Sequence, residues 1–139
     1  MDGLAFFGYY RHTLDAKNRL FIPAKYREGL GNSCILYSPK DQNCLYLYNE
    51  EEWENISNEV IATGDVDMQR YFFDDAMAVE PDKQGRITLK AEFCKRVGLE
   101  KEVIVAGAGK RVELWNEANR EAAMQKATAR SDTYPKIHF

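Results

Sequence analysis

Asp15-Ala16-Lys17-Asn18-Arg19-Leu20-Phe21-Ile22 returns, 67 residues later, as Asp82-Lys83-Gln84-Gly85-Arg86-Ile87-Thr88-Leu89. Each copy opens with an aspartate, passes through turn-forming residues and closes on an arginine that starts a short apolar run. Asn18 and Gly85 take the matching last position of the turn, and both tolerate positive φ. The offset then holds without a gap. Leu20 and Ile22 fall on Ile87 and Leu89, Ala24 on Ala91, Tyr26 on Phe93, and Leu30-Gly31 on Val97-Gly98. Further on, Leu36 falls on Val103, Leu45 on Val112, and Leu47-Tyr48-Asn49-Glu50 on Leu114-Trp115-Asn116-Glu117. Apolar meets apolar at nearly every interior-looking position, which makes the chain a tandem duplication.

Each copy predicts the same string of elements. A strand (residues 5–14, then 75–80) enters the turn and a short strand follows (19–22, then 86–89). Pro23 suits the first turn of a helix, and Gly31 and Gly98 suit helix ends. Two further strands pair as hairpins, 35–37 with 44–48 and 102–106 with 111–115. Helices are expected over 50–61, with Trp53, Ile56 and Val60 on one stripe, over 68–73, and from Glu117 through the Ala-rich stretch to residue 129. Residues 131–139 lack periodicity and are expected to form a mobile tail. The chain divides into a first half (5–50), an acidic helical linker (51–73), a second half (74–117) and a C-terminal helix with tail (118–139). One such half buries too little surface to stand alone. Pairing two closes sheets that would otherwise expose edges, and it presents two Asp-x-x-x-Arg turns on one side.

Composition narrows the function. The 139 residues carry a net charge of -3 and are 45% hydrophobic and 29% charged, with a mean hydropathy of -0.54. No stretch approaches the ~20 apolar residues of a membrane span. Met1-Asp2-Gly3-Leu4 lacks the pattern of a secretion signal, so a cytoplasmic protein is expected. The charge is unevenly distributed. Residues 11–27 carry Arg11, Lys17, Arg19, Lys25 and Arg27 against Asp15 alone, and residues 82–101 carry six cations against three acids. Residues 49–80 hold ten acids against Arg70. Salt screens charges beyond ~10 Å, so the local surplus governs phosphate binding more than the total does.

Catalysis, metal and cofactors find no support. Cys34, Cys44 and Cys94 are odd in number and widely spaced, with His12 and His138 as the only histidines. They are expected to be reduced and packed. Gly107-Ala108-Gly109-Lys110 lacks the spacing of a phosphate loop and reads as a hairpin turn. His12 reads as a surface residue. Trp53, Trp115, Tyr46 and Tyr48 read as core or subunit interface, and the Glu50–Glu54 run as a solvated helix start.

Leu14 through Arg27 resembles the first signature of the MraZ family, and Asp82 through Leu89 resembles its second; the likeness extends over about residues 5–125. The resemblance implies an α+β, mainly β fold, a double swapped-hairpin barrel of two tandem SpoVT/AbrB-like halves. It implies a regulator that binds repeated promoter elements upstream of its own division and cell-wall operon, on the nucleoid, as a ring-shaped homo-oligomer. The signature residues carried over are Asp15, Lys17 and Arg19, then Asp82 and Arg86. Gln84 stands at the place of Lys17, with Lys83 beside it, and Lys90 stands at the place of Pro23.

Chemistry gives these residues roles. Arginine's rigid fork can bond guanine O6 and N7 together, so Arg19 and Arg86 are candidates to read bases or to anchor the turn on a phosphate. Lys17, Lys83, Lys25 and Arg27 are candidates for phosphate contacts with counter-ion release. Asp15 and Asp82 are expected to brace the turn and orient the arginine. The alternative for each arginine is that it only pairs with its own aspartate. The alternative function is an oligomeric, antitoxin-like interaction module without operator specificity.

Overall fold

The duplicated pattern folds into the same five elements twice. The structure, a computed structural model, describes residues 5–139. In the first copy these are β1 (Tyr9–Thr13), β2 (Arg19–Phe21), α1 (Ala24–Leu30), β3 (Cys34–Tyr37) and β4 (Leu45–Asn49). After α2 (Glu50–Ala62) and α3 (Val66–Phe73), the second copy supplies β5 (Ala76–Val79), β6 (Arg86–Thr88), α4 (Ala91–Val97), β7 (Glu102–Gly107) and β8 (Val112–Trp115). Helix α5 (Glu117–Ala129) follows, then a 3-10 turn at Ser131–Thr133. Tyr134, just past that turn, donates its hydroxyl to the Ala127 carbonyl at 2.6 Å.

Local chemistry sets the helix starts. Asn49 accepts from the Glu52 N–H at 2.8 Å and Asn116 from the Asn119 N–H at 2.7 Å, so the repeated Asn-Glu pair is a repeated N-cap. Asp65 caps α3 in the same way, through the Met68 N–H. Pro23 lies one residue before the expected first turn, at the N-cap of α1, with φ -51 and ψ 140. Lys90 adopts nearly the same angles before α4, φ -66 and ψ 128. An extended cap accepts either residue, which explains why the second helix starts without a proline.

The six-stranded sheet runs β1-β7-β8-β4-β3-β5, and β2 pairs with β6 in a separate ribbon. That order reads the same from both ends once β1 is matched to β5, β3 to β7 and β4 to β8. Each copy's first strand leaves its own hairpin and pairs with the hairpin of the other copy, β1 on β7 and β5 on β3. The central pair β4–β8 and the ribbon β2–β6 straddle the same pseudo-twofold, with Leu20 directly opposite Ile87. The swap accounts for the core. Leu20, Ile22, Tyr26, Leu30, Leu36, Leu45 and Leu47 are buried, and so are all seven of their repeat counterparts.

The offset is not uniform. Leu14 N–H donates to the Lys101 carbonyl, while Val79 stands opposite Cys34, the counterpart of Lys101. Leu14 therefore matches Val79, and the second copy carries two extra residues, Glu80 and Pro81, before its turn. The expected strand over 5–14 is likewise shorter. Continuous pairing covers Tyr9–Thr13, and upstream of it Phe6 makes a single bridge to Gly109.

On the far end of the sheet, Trp53 stacks on Phe72 at 5.2 Å, and Tyr37 and Tyr48 join them between α2, α3 and the strands. Asp75 is buried there, paired with Lys40 at 2.5 Å and Arg96 at 3.1 Å. Burial alone would raise its pKa, but hydrogen bonds from Lys40 and Arg96 outweigh that and hold the carboxyl below its ordinary 3.8. All three cysteines are free and buried. Desolvation pushes their thiols up, that of Cys34 to about 11.

Candidate nucleic-acid interface

Strand alternation decides what the β2–β6 ribbon shows to solvent. Leu20 and Ile87 are buried, so Arg19 and Phe21 on one strand and Arg86 and Thr88 on the other share the outer face. Across the ribbon Arg19 stands opposite Thr88, and Phe21 opposite Arg86. Matched backbone bonds continue the ribbon's ladder at both ends, Ile22 N–H to the Gly85 carbonyl and Leu89 N–H to the Asn18 carbonyl.

Both turns have one geometry. In the first, Asp15 N–H donates to the Arg19 carbonyl at 3.0 Å and Asn18 N–H to the Asp15 carbonyl at 2.9 Å. In the second, the same bonds join Asp82 to Arg86 at 2.8 Å and Gly85 to Asp82 at 3.0 Å. Asn18 and Gly85 supply the positive φ, 59° and 79°. Each aspartate fills both oxygens. Asp15 Oδ1 accepts the N–H groups of Lys17 and Arg19, and Oδ2 accepts Arg19 Nε at 2.7 Å. Asp82 repeats this with Gln84, Arg86 and Arg86 Nε at 2.9 Å. Bracing and orientation are one arrangement here, because fixing Nε on the carboxylate sets the plane of the guanidinium.

Arg86 Nη1 also comes within 3.9 Å of Asp15 Oδ2. The two turns are therefore neighbours on one face, and the four charged groups form a cluster of balanced charge. The surplus comes from the turn tips and α1. Lys17 and Lys83 are both exposed but not equivalent. The Gln84 N–H makes the bond that the Lys17 N–H makes, and Lys83 takes the place of Ala16. Lys25 is exposed, with Nζ 3.7 Å from the Phe7 ring centre. Arg27 is half-buried. Its Nε donates to the Ile22 carbonyl at 2.8 Å, and its guanidinium lies against Gly85 of the second turn. A Cβ at Gly85 would sit 2.7 Å from Arg27 Cζ. Arg27 therefore crosses the pseudo-twofold to back the opposite turn, which its position in the sequence does not reveal. Phe21 shares this outer face, and the sequence signal for it is its place two residues after Arg19 on an alternating strand.

The turn carboxylates respond to acid. Asp15 is held below its ordinary pKa of 3.8, first by the Arg19 backbone N–H, against some desolvation, then by the Arg19 side chain and the Lys17 N–H. Asp82 is lowered in the same way by the Arg86 N–H, again against desolvation, then by the Gln84 N–H and the Arg86 side chain. A carboxylate with a lowered folded-state pKa stabilises the fold above its unfolded value and loses that contribution as pH falls. The double variant Asp15→Asn/Asp82→Asn is therefore expected to melt below the wild type at pH 7. The gap should close as pH falls below 3.8. Thermal melts of both proteins across that range check it, and a gap independent of pH would show that the charge of these carboxylates is immaterial.

Among the described residues no group of three His, Cys, Asp or Glu is placed to hold a metal, and no helix is long and apolar enough to cross a membrane.

The geometry has relatives. The family described as "MraZ protein, putative antitoxin-like" matches residues 5–67 and again residues 72–136, once for each copy. The chain is 43% identical over 122 residues to the transcriptional regulator MraZ of Acetivibrio thermocellus, covering 84% of this chain and 85% of that protein. It is 39% identical to the protein of the same name from Heliobacterium modesticaldum, with 88% of each covered. It is 37% identical over 132 residues to that of Ligilactobacillus salivarius, covering 91% and 92%. With both copies matched and most of each relative spanned, the chain belongs to the MraZ family.

Proposed function

We propose that this chain is a sequence-specific DNA-binding transcriptional regulator acting on repeated promoter elements, including those upstream of its own division and cell-wall operon. The observation that carries the reading is the β2–β6 ribbon, which presents Arg19 and Arg86 on one solvent face, each oriented by its own aspartate. A major groove ~12 Å wide admits a two-stranded ribbon, and an oriented arginine fork matches guanine's two acceptors there. Exposed Lys17 and Lys83 at the turns, with Lys25 on α1, supply phosphate contacts, and Arg27 holds the second turn in place while adding to the local field. Proteins 43% and 39% identical to this chain, aligned over 84% and 88% of it, carry the name transcriptional regulator.

The chain acts in the cytoplasm, on the nucleoid, as a homo-oligomeric ring. Support comes from the two ends of the six-stranded sheet, β1 and β5, each paired on one side only, and from exposed Ile61, Val66 and Tyr71 at α2 and α3. A repeated element suits an assembly that repeats the ribbon.

The test is a salt titration of binding to DNA from upstream of the chain's own gene, with scrambled DNA of equal length as reference. Preference for the upstream DNA with a steep loss of affinity in salt, ~0.9 log units per tenfold salt for each phosphate neutralised, supports a sequence-reading regulator. Equal binding to both duplexes refutes operator specificity and favours the oligomeric interaction module.

A further inference from the structure

The pseudo-twofold repeats the backbone of the ribbon but not its outer face. Arg19 stands opposite Thr88, whereas Arg86 stands opposite Phe21. Around Arg86 the first copy therefore adds an aromatic ring, and around Arg19 the second copy adds a small hydroxyl residue. Phe21 is 36% exposed in the middle of a face otherwise made of charged and polar groups. Its ring is also held in place. His12 packs on it edge-on at 5.1 Å, and the Arg27 guanidinium lies 5.3 Å from its centre. A ring already fixed gives up little further freedom when it meets a ligand.

We infer that Phe21 is a specificity-determining residue that packs on a thymine 5-methyl group beside the base pair contacted by Arg86. The inference rests on the DNA-reading ribbon proposed above. Among the groups that base edges show in the major groove, the thymine methyl is the apolar one, so it is the natural match for an exposed aromatic on this face. Thr88, at the corresponding place beside Arg19, offers a hydroxyl and one methyl and makes a different contact. The two arms of the ribbon thus read different sequences, and the element bound by one chain has a direction despite the near-twofold symmetry of the fold.

The experiment starts from duplexes enriched by the wild-type protein out of a random-sequence pool. Each thymine in the enriched element is then replaced by deoxyuridine, which removes only the methyl group. The wild type is expected to lose about fourfold in affinity at one thymine on one arm, the value of burying one CH₂-sized group. Phe21→Ala should bind the thymine and deoxyuridine duplexes equally, while keeping its fold and its low-salt affinity for unrelated DNA. Phe21→Leu, still apolar, should retain the methyl sensitivity. If Phe21 served only to hold His12 and Arg27, the alanine variant would weaken both duplexes and keep the difference between them, which would overturn the inference. An enriched element with no methyl-sensitive thymine would overturn the role of Phe21 alone. A pool in which nothing is enriched would overturn the DNA-reading function and this inference with it.

Discussion

Arg19→Ala combined with Arg86→Ala is expected to abolish the preference for upstream DNA while leaving a folded protein. Each arginine offers one fork worth ~1–3 kcal/mol of discrimination when it bonds a guanine bidentately, so losing both removes about 30-fold to about 10⁴-fold of specific affinity. Binding to scrambled DNA at low salt should fall far less, because Lys17, Lys83 and Lys25 remain on the surface. Stability should change little. The side chains of Arg19 and Arg86 are 33% and 27% exposed, and exposed pairs contribute ~0–1 kcal/mol. The aspartates also keep their backbone donors when the guanidinium is gone. Fluorescence anisotropy against both duplexes at fixed ionic strength, with a melt as control, makes the measurement. A double variant that still prefers the upstream DNA would reduce both arginines to turn braces. Arg→Lys at the two sites should fail nearly as badly as alanine, since an ammonium keeps the charge but not the planar fork.

The duplication, the turns and the buried residues were legible because they depend on residue type at fixed spacing. Leu20 and Ile87 announce themselves as core, and Asp15 and Asp82 as turn openers, without any knowledge of their partners. The two hairpins were legible as well, but the partner of each first strand was not legible from the residues. A short strand with period-2 alternation fits either hairpin, so the exchange of β1 and β5 came only with the family resemblance. The interface was half legible for the same reason. The arginines stand out by repetition, but the pairing of Phe21 with Arg86 exists only in the β2–β6 register. Asp75 was hidden more deeply. It sits inside the acidic run, and its partners Lys40 and Arg96 are 35 and 21 residues away. Nothing in composition separates that buried acid from its solvated neighbours.

The exchange of first strands sets the second large expected effect, at Gly107. Its counterpart by the repeat is Lys40, and the two mark the places where each exchanged strand enters the sheet. At the Lys40 end the entry is held by charge, through Asp75, Lys40 and Arg96. At the Gly107 end it is held by close backbone approach. Gly107 N–H donates to the Gly8 carbonyl at 2.8 Å, and the Tyr26 hydroxyl bonds the Phe7 and Gly8 carbonyls. A Cβ on Gly107 would be driven into the backbone of Phe6 and Phe7, 2.6 Å from Phe7 Cα, and no side-chain rotation relieves a clash with main chain. Gly107→Ala must therefore displace residues 6–8. That pulls Phe6 out of the core, where it is 9% exposed and packs edge-on against Tyr26, and it leaves the buried Tyr26 hydroxyl without its carbonyl acceptors. Losing a buried phenylalanine costs about 3 kcal/mol or more, on the order of 10 °C in Tm for a chain of this size. Hydrogen exchange should locate the change, with protection lost at Phe6, Gly107 and Gly109, whose N–H groups make these bonds, and kept at Leu20 and Ile87. A variant that melts with the wild type would show that this segment can step aside without cost. The first strand would then be held by its β7 pairing alone.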